Sequence, residues 1–265
     1  CYIRRMRNDP EYDLCCDGLT ITVPNRLLVD ALSMDAAAGQ ILAILGPNGV
    51  GKSLLLNTLA GLRGDNGGRI ELGGTLQSDL SRQQIARRLA LLPQYTEDFF
   101  PSTVLDTVII GRHPHIARWA WASGRDLEIA RAALHAVDLK TLENRDVLTL
   151  SGGERRRLAV AQVLTQDPAI YLLDEPTNHL DPQHQLDVLK LFRARADAGK
   201  TVIVSLHDVN LAARFADRCL LLFGDGRWES GNSDQILTPE RLSALYATRV
   251  EALPWRDRSL FVATG

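Results

Sequence analysis

Short apolar runs alternate along the chain with segments whose apolar residues recur at helical spacing. The runs predict strands at residues 19–23, 40–45, 69–72, 89–92, 169–173, 201–206, 219–223 and 227–230. Several are apolar on both faces, as strands buried in a parallel sheet are. Helical spacing predicts helices at 51–61, 103–111, 126–137, 152–166, 182–198, 209–217 and 239–246. From about residue 95 to 166 the pattern is almost wholly helical, and strands return at 169. That order predicts an α/β core made by 1–94 and 167–265, with a helical lobe, 95–166, inserted between its halves. Gly67-Gly68 and Gly73-Gly74 punctuate a turn-rich, antiparallel-looking section ahead of the lobe. No internal repeat or low-complexity tract interrupts the pattern, and 231–265 reads as a small appendage of helix and strands with a turn at 254–258.

Composition narrows the class without naming a chemistry. The 265 residues carry 30 basic and 32 acidic side chains, a formal charge of −2, and 45% are hydrophobic. This suits a globular chain with a sizeable core and excludes a collagen, a disordered tail or a disulfide-stapled miniprotein. Near-neutral charge argues against nucleic acid as a partner. No apolar run approaches the roughly 18 residues needed to span a bilayer, so contact with a membrane is expected to go through a partner. The opening Cys1-Tyr2-Ile3-Arg4-Arg5-Met6 turns polar too soon for a secretory signal, and Met6 is a candidate start. Cys1, the adjacent Cys15 and Cys16, and Cys219 form no C-x-x-C pair. Free thiols in a reducing compartment are expected, not a zinc site or a disulfide framework.

The strongest chemical signal is Gly46-Pro47-Asn48-Gly49-Val50-Gly51-Lys52-Ser53, entered from the apolar run 41–45 and followed by Leu54 and a helical pattern. It satisfies G-x-x-x-x-G-K-[ST] in its strand-before, helix-after context. Glycines let the backbone curl so that successive N–H groups face phosphate oxygens, and the helix start adds a favourable dipole. Lys52 is expected to reach the β- and γ-phosphates of a nucleoside triphosphate and Ser53 to ligate magnesium. A second buried strand ends in Asp174-Glu175, which puts two carboxylates at the sheet's carboxyl edge. Asp174 is expected to hold magnesium and Glu175 to polarise the attacking water.

Between these lies Leu150-Ser151-Gly152-Gly153-Glu154-Arg155-Arg156-Arg157. The S-x-x-E spacing of Ser151 and Glu154 reads as a helix capping box, which leaves Gly152 and Gly153 unexplained. They expose N–H groups at a helix start, a second anion cradle. One nucleotide does not need two cradles on one chain. Two chains packed head to tail do, each helix start covering the γ-phosphate held by its neighbour.

With these motifs in this order the chain resembles the ATP-binding cassette (ABC) ATPases over nearly its whole length. Leu150 to Glu154 resembles their signature motif, Gln94 the Q-loop glutamine that contacts magnesium and water, Asn178-His179-Leu180-Asp181 the D-loop, and His207 the switch histidine. The resemblance implies a P-loop NTPase core with a mixed sheet, an antiparallel β section and an inserted helical lobe. It implies ATP and Mg2+ as ligands and a homodimer of ATPase subunits. Glu175, His207 and Gln94 would be catalytic, with Gln94 joining Ser53 and Asp174 at the metal. Asp181 also reads as an N-cap before Pro182, and His179 and His184 read as structural. Two positions depart from the family: Val23 stands where an aromatic residue usually stacks on adenine, and Leu54 replaces a common Thr near the α-phosphate.

The stretch Thr103 to His115, with 206–217 and 181–185, is similar to ATPases of metal-chelate importers. This implies a separate integral-membrane permease dimer, indirectly a substrate-binding protein, and a peripheral site on the cytoplasmic face of the inner membrane. Cobalamin or a ferric siderophore is the leading cargo and haem the alternative. Residues 176–181 also resemble translation-factor ABC proteins, so a soluble ATPase in translation or DNA maintenance is the competing class. His113 and His115 lie two apart across a proline and read as loop residues; Trp119 and Trp121 are expected to pack in the lobe.

Overall fold

The computed structural model describes residues 12–64, 67–94, 101–117, 120–256 and 258–264. Cys1, Met6, Trp119 and the first residues of the predicted lobe lie outside them. The chain opens with two long strands, β1 (Tyr12–Val23) and β2 (Arg26–Ala37), then β3 (Ile41–Leu45) and helix α1 (Lys52–Leu59). β4 (Arg69–Leu72) and β5 (Thr75–Leu76) lead to α2 (Arg82–Arg88) and β6 (Leu89–Leu92). The helices α3 (Val104–Ile109), α4 (Gly124–Ala136) and α5 (Gly152–Gln166) follow. After them come β7 (Ile170–Asp174), α6 (Pro182–Asp197), β8 (Thr201–Ser205), α7 (Val209–Phe215), β9 (Arg218–Leu222) and β10 (Trp228–Asn232). Helices α8 (Ser233–Ile236) and α9 (Pro239–Tyr246) and the hairpin β11 (Val250–Trp255)–β12 (Arg258–Ala263) complete the described chain.

Among these residues a six-stranded sheet runs in the order β10-β9-β3-β8-β7-β6, parallel except for β10. A second, four-stranded antiparallel sheet has the order β2-β1-β4-β5. This is the mixed α/β class expected, with its antiparallel section.

Every residue of β3, β7 and β8 is buried, because both faces of the large sheet are covered. The period of two then splits each strand between two cores. Ile41, Ala43, Leu45, Tyr171, Leu173, Val202 and Val204 join a cluster with α5 and α6 residues such as Val160, Leu164 and Phe192. There the Tyr171 ring meets Phe192 edge-on at 5.5 Å. Leu42, Ile44, Ile170, Leu172 and Ile203 turn the other way, onto Leu55 and Leu59 of α1 and Leu14, Leu19 and Leu32 of the antiparallel sheet.

Several elements depart from the sequence reading, among them β1, which starts at Tyr12 and not at 19, and β5, which was not predicted. β2 was invisible because Ala31 takes a positive φ and the β1–β2 register slips repeatedly, which breaks the alternation a strand needs. In α2 only Ile85 is buried, so no apolar stripe marks it; the Ser81–Gln84 capping box was the available signal. The helix expected to run to 111 ends at Ile109, and a 3-10 turn carries the chain over Ile110–His115 with Pro114 inside it. Trp121 is 94% exposed and does not pack in the lobe, a correction to the expectation.

Other expectations hold. Cys15, Cys16 and Cys219 are buried thiols outside any disulfide, and burial pushes the Cys16 thiol up to about 12 and the Cys219 thiol to about 11. His115 Nε2 lies 2.8 Å from the Gln166 carbonyl oxygen, a structural contact. The 254–258 segment turns through Arg256 (φ 56°), although Pro254 and Trp255 already belong to β11. Among the described residues no helix is long and apolar enough to cross a membrane.

Candidate nucleotide site

The parallel order β6-β7-β8-β3 brings four carboxyl-terminal strand ends side by side, the edge where open α/β sheets bind ligands. β3 leads into the glycine loop. Gly46 (φ 151°) could not carry a side chain, because a Cβ there would lie 2.4 Å from the carbonyl oxygen of Leu222 at the end of β9. Gly51 (φ 107°) is the N-cap of α1 and supplies no side-chain cap, so the first-turn N–H groups face the loop. Asn48 and Gly49 form the exposed tip, whereas Val50 is buried in the second core and anchors the loop. Pro47, Ser53 and Leu54 are half-buried, and Leu54 packs its side chain on that same core.

Lys52 is 5% exposed, and its Nζ donates to the carbonyls of Gly46 (2.7 Å) and Pro47 (3.1 Å). Burial lowers its pKa, while the nearby Glu175 and Asp174 carboxylates act against that shift. Among the described residues Lys52 Nζ bonds only to neutral carbonyls, in a loop whose Gly46 cannot take a side chain, and such a buried cation fits a polyphosphate.

Asp174 closes β7, and Glu175 follows in a left-handed conformation (φ 49°) that turns its side chain back over the sheet edge. Both are under 5% exposed. Ser205, paired with Asp174 across β7 and β8, accepts from the Glu175 N–H (2.9 Å) and donates to Asp174 Oδ1 (2.7 Å). Glu175 Oε2 accepts from Gln94 Nε2 at 2.7 Å and from Asn178 Nδ2; Glu175 Oε1 contacts His207 Nε2. Gln94, Glu175 and His207, from three adjacent strand ends, thus meet at one carboxylate.

Ser53, Gln94 and Asp174 offer a hydroxyl, an amide carbonyl and a carboxylate, oxygen donors of the kind that magnesium takes alongside phosphates and water. No group of three or more His, Cys, Asp or Glu side chains gathers into a metal cage among the described residues.

The signature segment is built as its spacing predicts. Ser151 Oγ accepts from the Glu154 N–H (3.3 Å), and Glu154 Oε2 accepts from the Ser151 N–H (2.7 Å). Ser151 and Gly152 are exposed, and Gly153 lies against His179 and Leu180. Asp181 is exposed and caps α6, accepting from the His184 N–H (3.0 Å) and lying 2.7 Å from His184 Nδ1. Among the described residues no hydrogen bond joins Ser151, Gly152, Gly153 or Asp181 to the phosphate loop of the same chain. The predicted residues therefore form two groups: Lys52, Gln94, Asp174, Glu175 and His207 in one, the signature and Asp181 in the other.

Three contributors escaped the sequence reading. Asn178 lay inside a quoted run, but its contact with Glu175 depends on the turn at 175. Ser205 looked like one more strand residue. Arg156 is 5% exposed within α5 and reads as one of three consecutive arginines; its position on the same helix face as Val160 and Val163 was the signal that could have found it.

The ABC transporter family model matches residues 29–178. The hemin import ATP-binding protein HmuV of Pseudomonas putida is 41% identical over 254 residues, covering 93% of this chain and 98% of that protein. Its namesake from Deinococcus radiodurans is 41% identical over 237 residues, covering 88% and 89%. Among solved structures, a chain of an inward-facing metal-chelate type ABC transporter superposes with a TM-score of 0.83 at 31% identity, covering 96% of this chain and 98% of the other. Glycine loop, paired carboxylates, signature segment and these similarities agree: the chain belongs to the ABC transporter family and is an ATP-hydrolysing subunit.

Proposed function

We propose that this ATPase works as a homodimer that powers import of a metal chelate through a separate membrane permease. The observation that carries the catalytic part is the convergence of Gln94, Asn178 and His207 on Glu175, on the sheet edge that also presents Lys52. In this reading the residues from Gly46 to Leu54 wrap the phosphates of ATP and Lys52 offsets their charge. Ser53, Gln94 and Asp174 would hold magnesium, which supplies charge neutralisation at the phosphate oxygens when bound. Glu175 accepts a hydrogen bond from the attacking water and aligns it with the γ-phosphorus. His207 steadies the carboxylate and the charge that develops during attack. The work is positioning and electrostatics, as phosphoryl transfer requires.

The exposed Ser151, Gly152, Gly153 and Asp181 close over the nucleotide of the second subunit. ATP holds the dimer together, and hydrolysis separates it. The helical lobe, taken as 95–166, carries the motion toward the permease on the cytoplasmic face of the membrane. Hemin is the favoured cargo, since the P. putida and D. radiodurans relatives are named for hemin import; this favours the second of the cargoes that the sequence suggested over cobalamin or a siderophore.

Purification of the tagged chain from detergent-solubilised membranes tests this, with mass spectrometry of what co-purifies. A polytopic permease and a binding protein whose hemin-loaded form raises ATP turnover are expected. Ribosomes or DNA without a permease would overturn the importer reading.

A further inference from the structure

α5 holds an arginine whose whole donor set is spent on the catalytic edge. Arg156 Nη1 donates to the carbonyls of Pro93 (2.7 Å) and Gln94 (3.3 Å). Its Nη2 donates to those of Asp174 (2.6 Å) and Glu175 (2.8 Å), and its Nε to that of Pro176 (3.4 Å). These five acceptors come from two segments far apart in sequence. One carries Gln94 and the other carries Glu175, the side chains that meet at 2.7 Å. The β6–β7 ladder ends at Leu92 and Leu173, and Arg156 ties together the segments that run on from it, 93–94 and 174–176.

Burial lowers the pKa of Arg156 to about 10, and the Asp174 and Glu175 charges resist that fall, so the group stays charged at neutral pH. A planar fork of five N–H donors suits five carbonyls spread over two segments, and no other side chain offers that many.

We propose that Arg156 is a positioning residue for ATP hydrolysis, fixing the Gln94 segment against the Glu175 turn so that the Gln94–Glu175 hydrogen bond and the water it aligns keep their geometry. This rests on Glu175 and Gln94 being catalytic. Arg156 itself lies beneath the site and touches the backbone of the catalytic residues, not the phosphates. It also sits one turn beyond the Ser151–Glu154 cap, so the helix that starts with the signature is bolted to its own subunit's carboxylate turn.

The test compares steady-state ATP hydrolysis by wild type, Arg156→Lys, Arg156→Gln, Gln94→Ala and the Gln94→Ala/Arg156→Lys double variant. Lysine keeps the charge but concentrates its donors at one point, so kcat is expected to fall about 10- to 100-fold, the scale of a small misplacement of reacting groups. KM for ATP should change less than threefold, because the Lys52 loop is untouched. Gln94→Ala/Arg156→Lys should be no slower than Gln94→Ala, since both changes release the same carboxylate. Wild-type kcat in folded Arg156→Lys, or a double variant that loses the product of the two single effects, overturns the proposal. So does loss of cooperative unfolding in both Arg156→Lys and Arg156→Gln, which would make Arg156 a residue of the fold alone. If instead Gln94→Ala and Glu175→Gln both keep wild-type kcat, the catalytic reading itself fails and the positioning role falls with it.

Discussion

Gln94 Nε2 donates to Glu175 Oε2 at 2.7 Å across 81 residues of sequence. The contact exists because β6 and β7 are parallel neighbours, with Leu92 opposite Leu173, so that one strand's exit lies beside the other's. Helices α3, α4 and α5 lie between the two residues in the chain.

Glu175→Gln should leave ATP binding intact and lower turnover by about 100-fold or more, the usual scale for losing a general base. ATP should then trap the dimer, visible by size-exclusion chromatography. Rapid steady-state hydrolysis by this variant would remove Glu175 from the water-aligning role.

Ser151→Arg should block hydrolysis while leaving the affinity of the mutant's own phosphate loop unchanged, because in the proposed dimer the signature serves the partner's nucleotide. The substitution also removes an N-cap, at a cost of about 1 kcal/mol. Ser151→Thr, which keeps a capping hydroxyl, separates the two effects: thermal stability should recover with it. Unchanged turnover in the Ser151→Arg homodimer would refute the composite site.

Gly46→Ala should weaken or abolish ATP binding and destabilise the fold by about 1–3 kcal/mol, since a Cβ would meet the Leu222 carbonyl at 2.4 Å and φ is 151°. Gly49→Ala, with open space around its Cβ, should show only the conformational cost of a positive φ. Equilibrium unfolding and nucleotide titration of the pair distinguish the two effects.

The Asp126 carboxyl is held down to about 2 by hydrogen bonds from Ser123 and Arg112. Its folded pKa is below the ordinary value near 3.9, so ionisation stabilises the folded state at pH values above that. The contribution fades as pH falls toward about 2. The gap in Tm between wild type and Asp126→Asn should therefore be full near neutrality and narrow on acidification below pH 4; a gap constant across that range would contradict the linkage.

Tyr171→Phe should be neutral or stabilising. The Tyr171 hydroxyl is buried with no hydrogen-bond partner among the described residues, and the ring keeps its contact with Phe192 without it. A fall in stability greater than about 1 kcal/mol in thermal or denaturant unfolding would show that the hydroxyl is bonded.

What the sequence determined by itself was local. The loop from Gly46 to Ser53 is a contiguous strand-turn-helix whose geometry follows from glycine φ freedom. Ser151 and Glu154 close a capping box within one turn, and β7 ends in charge because its apolar run does. The large sheet's strands were legible for the same reason, since burial on both faces leaves an unbroken apolar run. Tertiary structure alone decided the rest. The pairing order β6-β7-β8-β3 gathers Gln94, Glu175 and His207, and no local period encodes that order. Ser205 and Arg156 take their importance from what lies opposite them. β2 was hidden by its bulges and Trp121 by an exposure that composition cannot reveal. Short-range preferences are written in neighbouring residues, whereas the site depends on which strand ends lie side by side, and that is fixed only when the whole sheet packs.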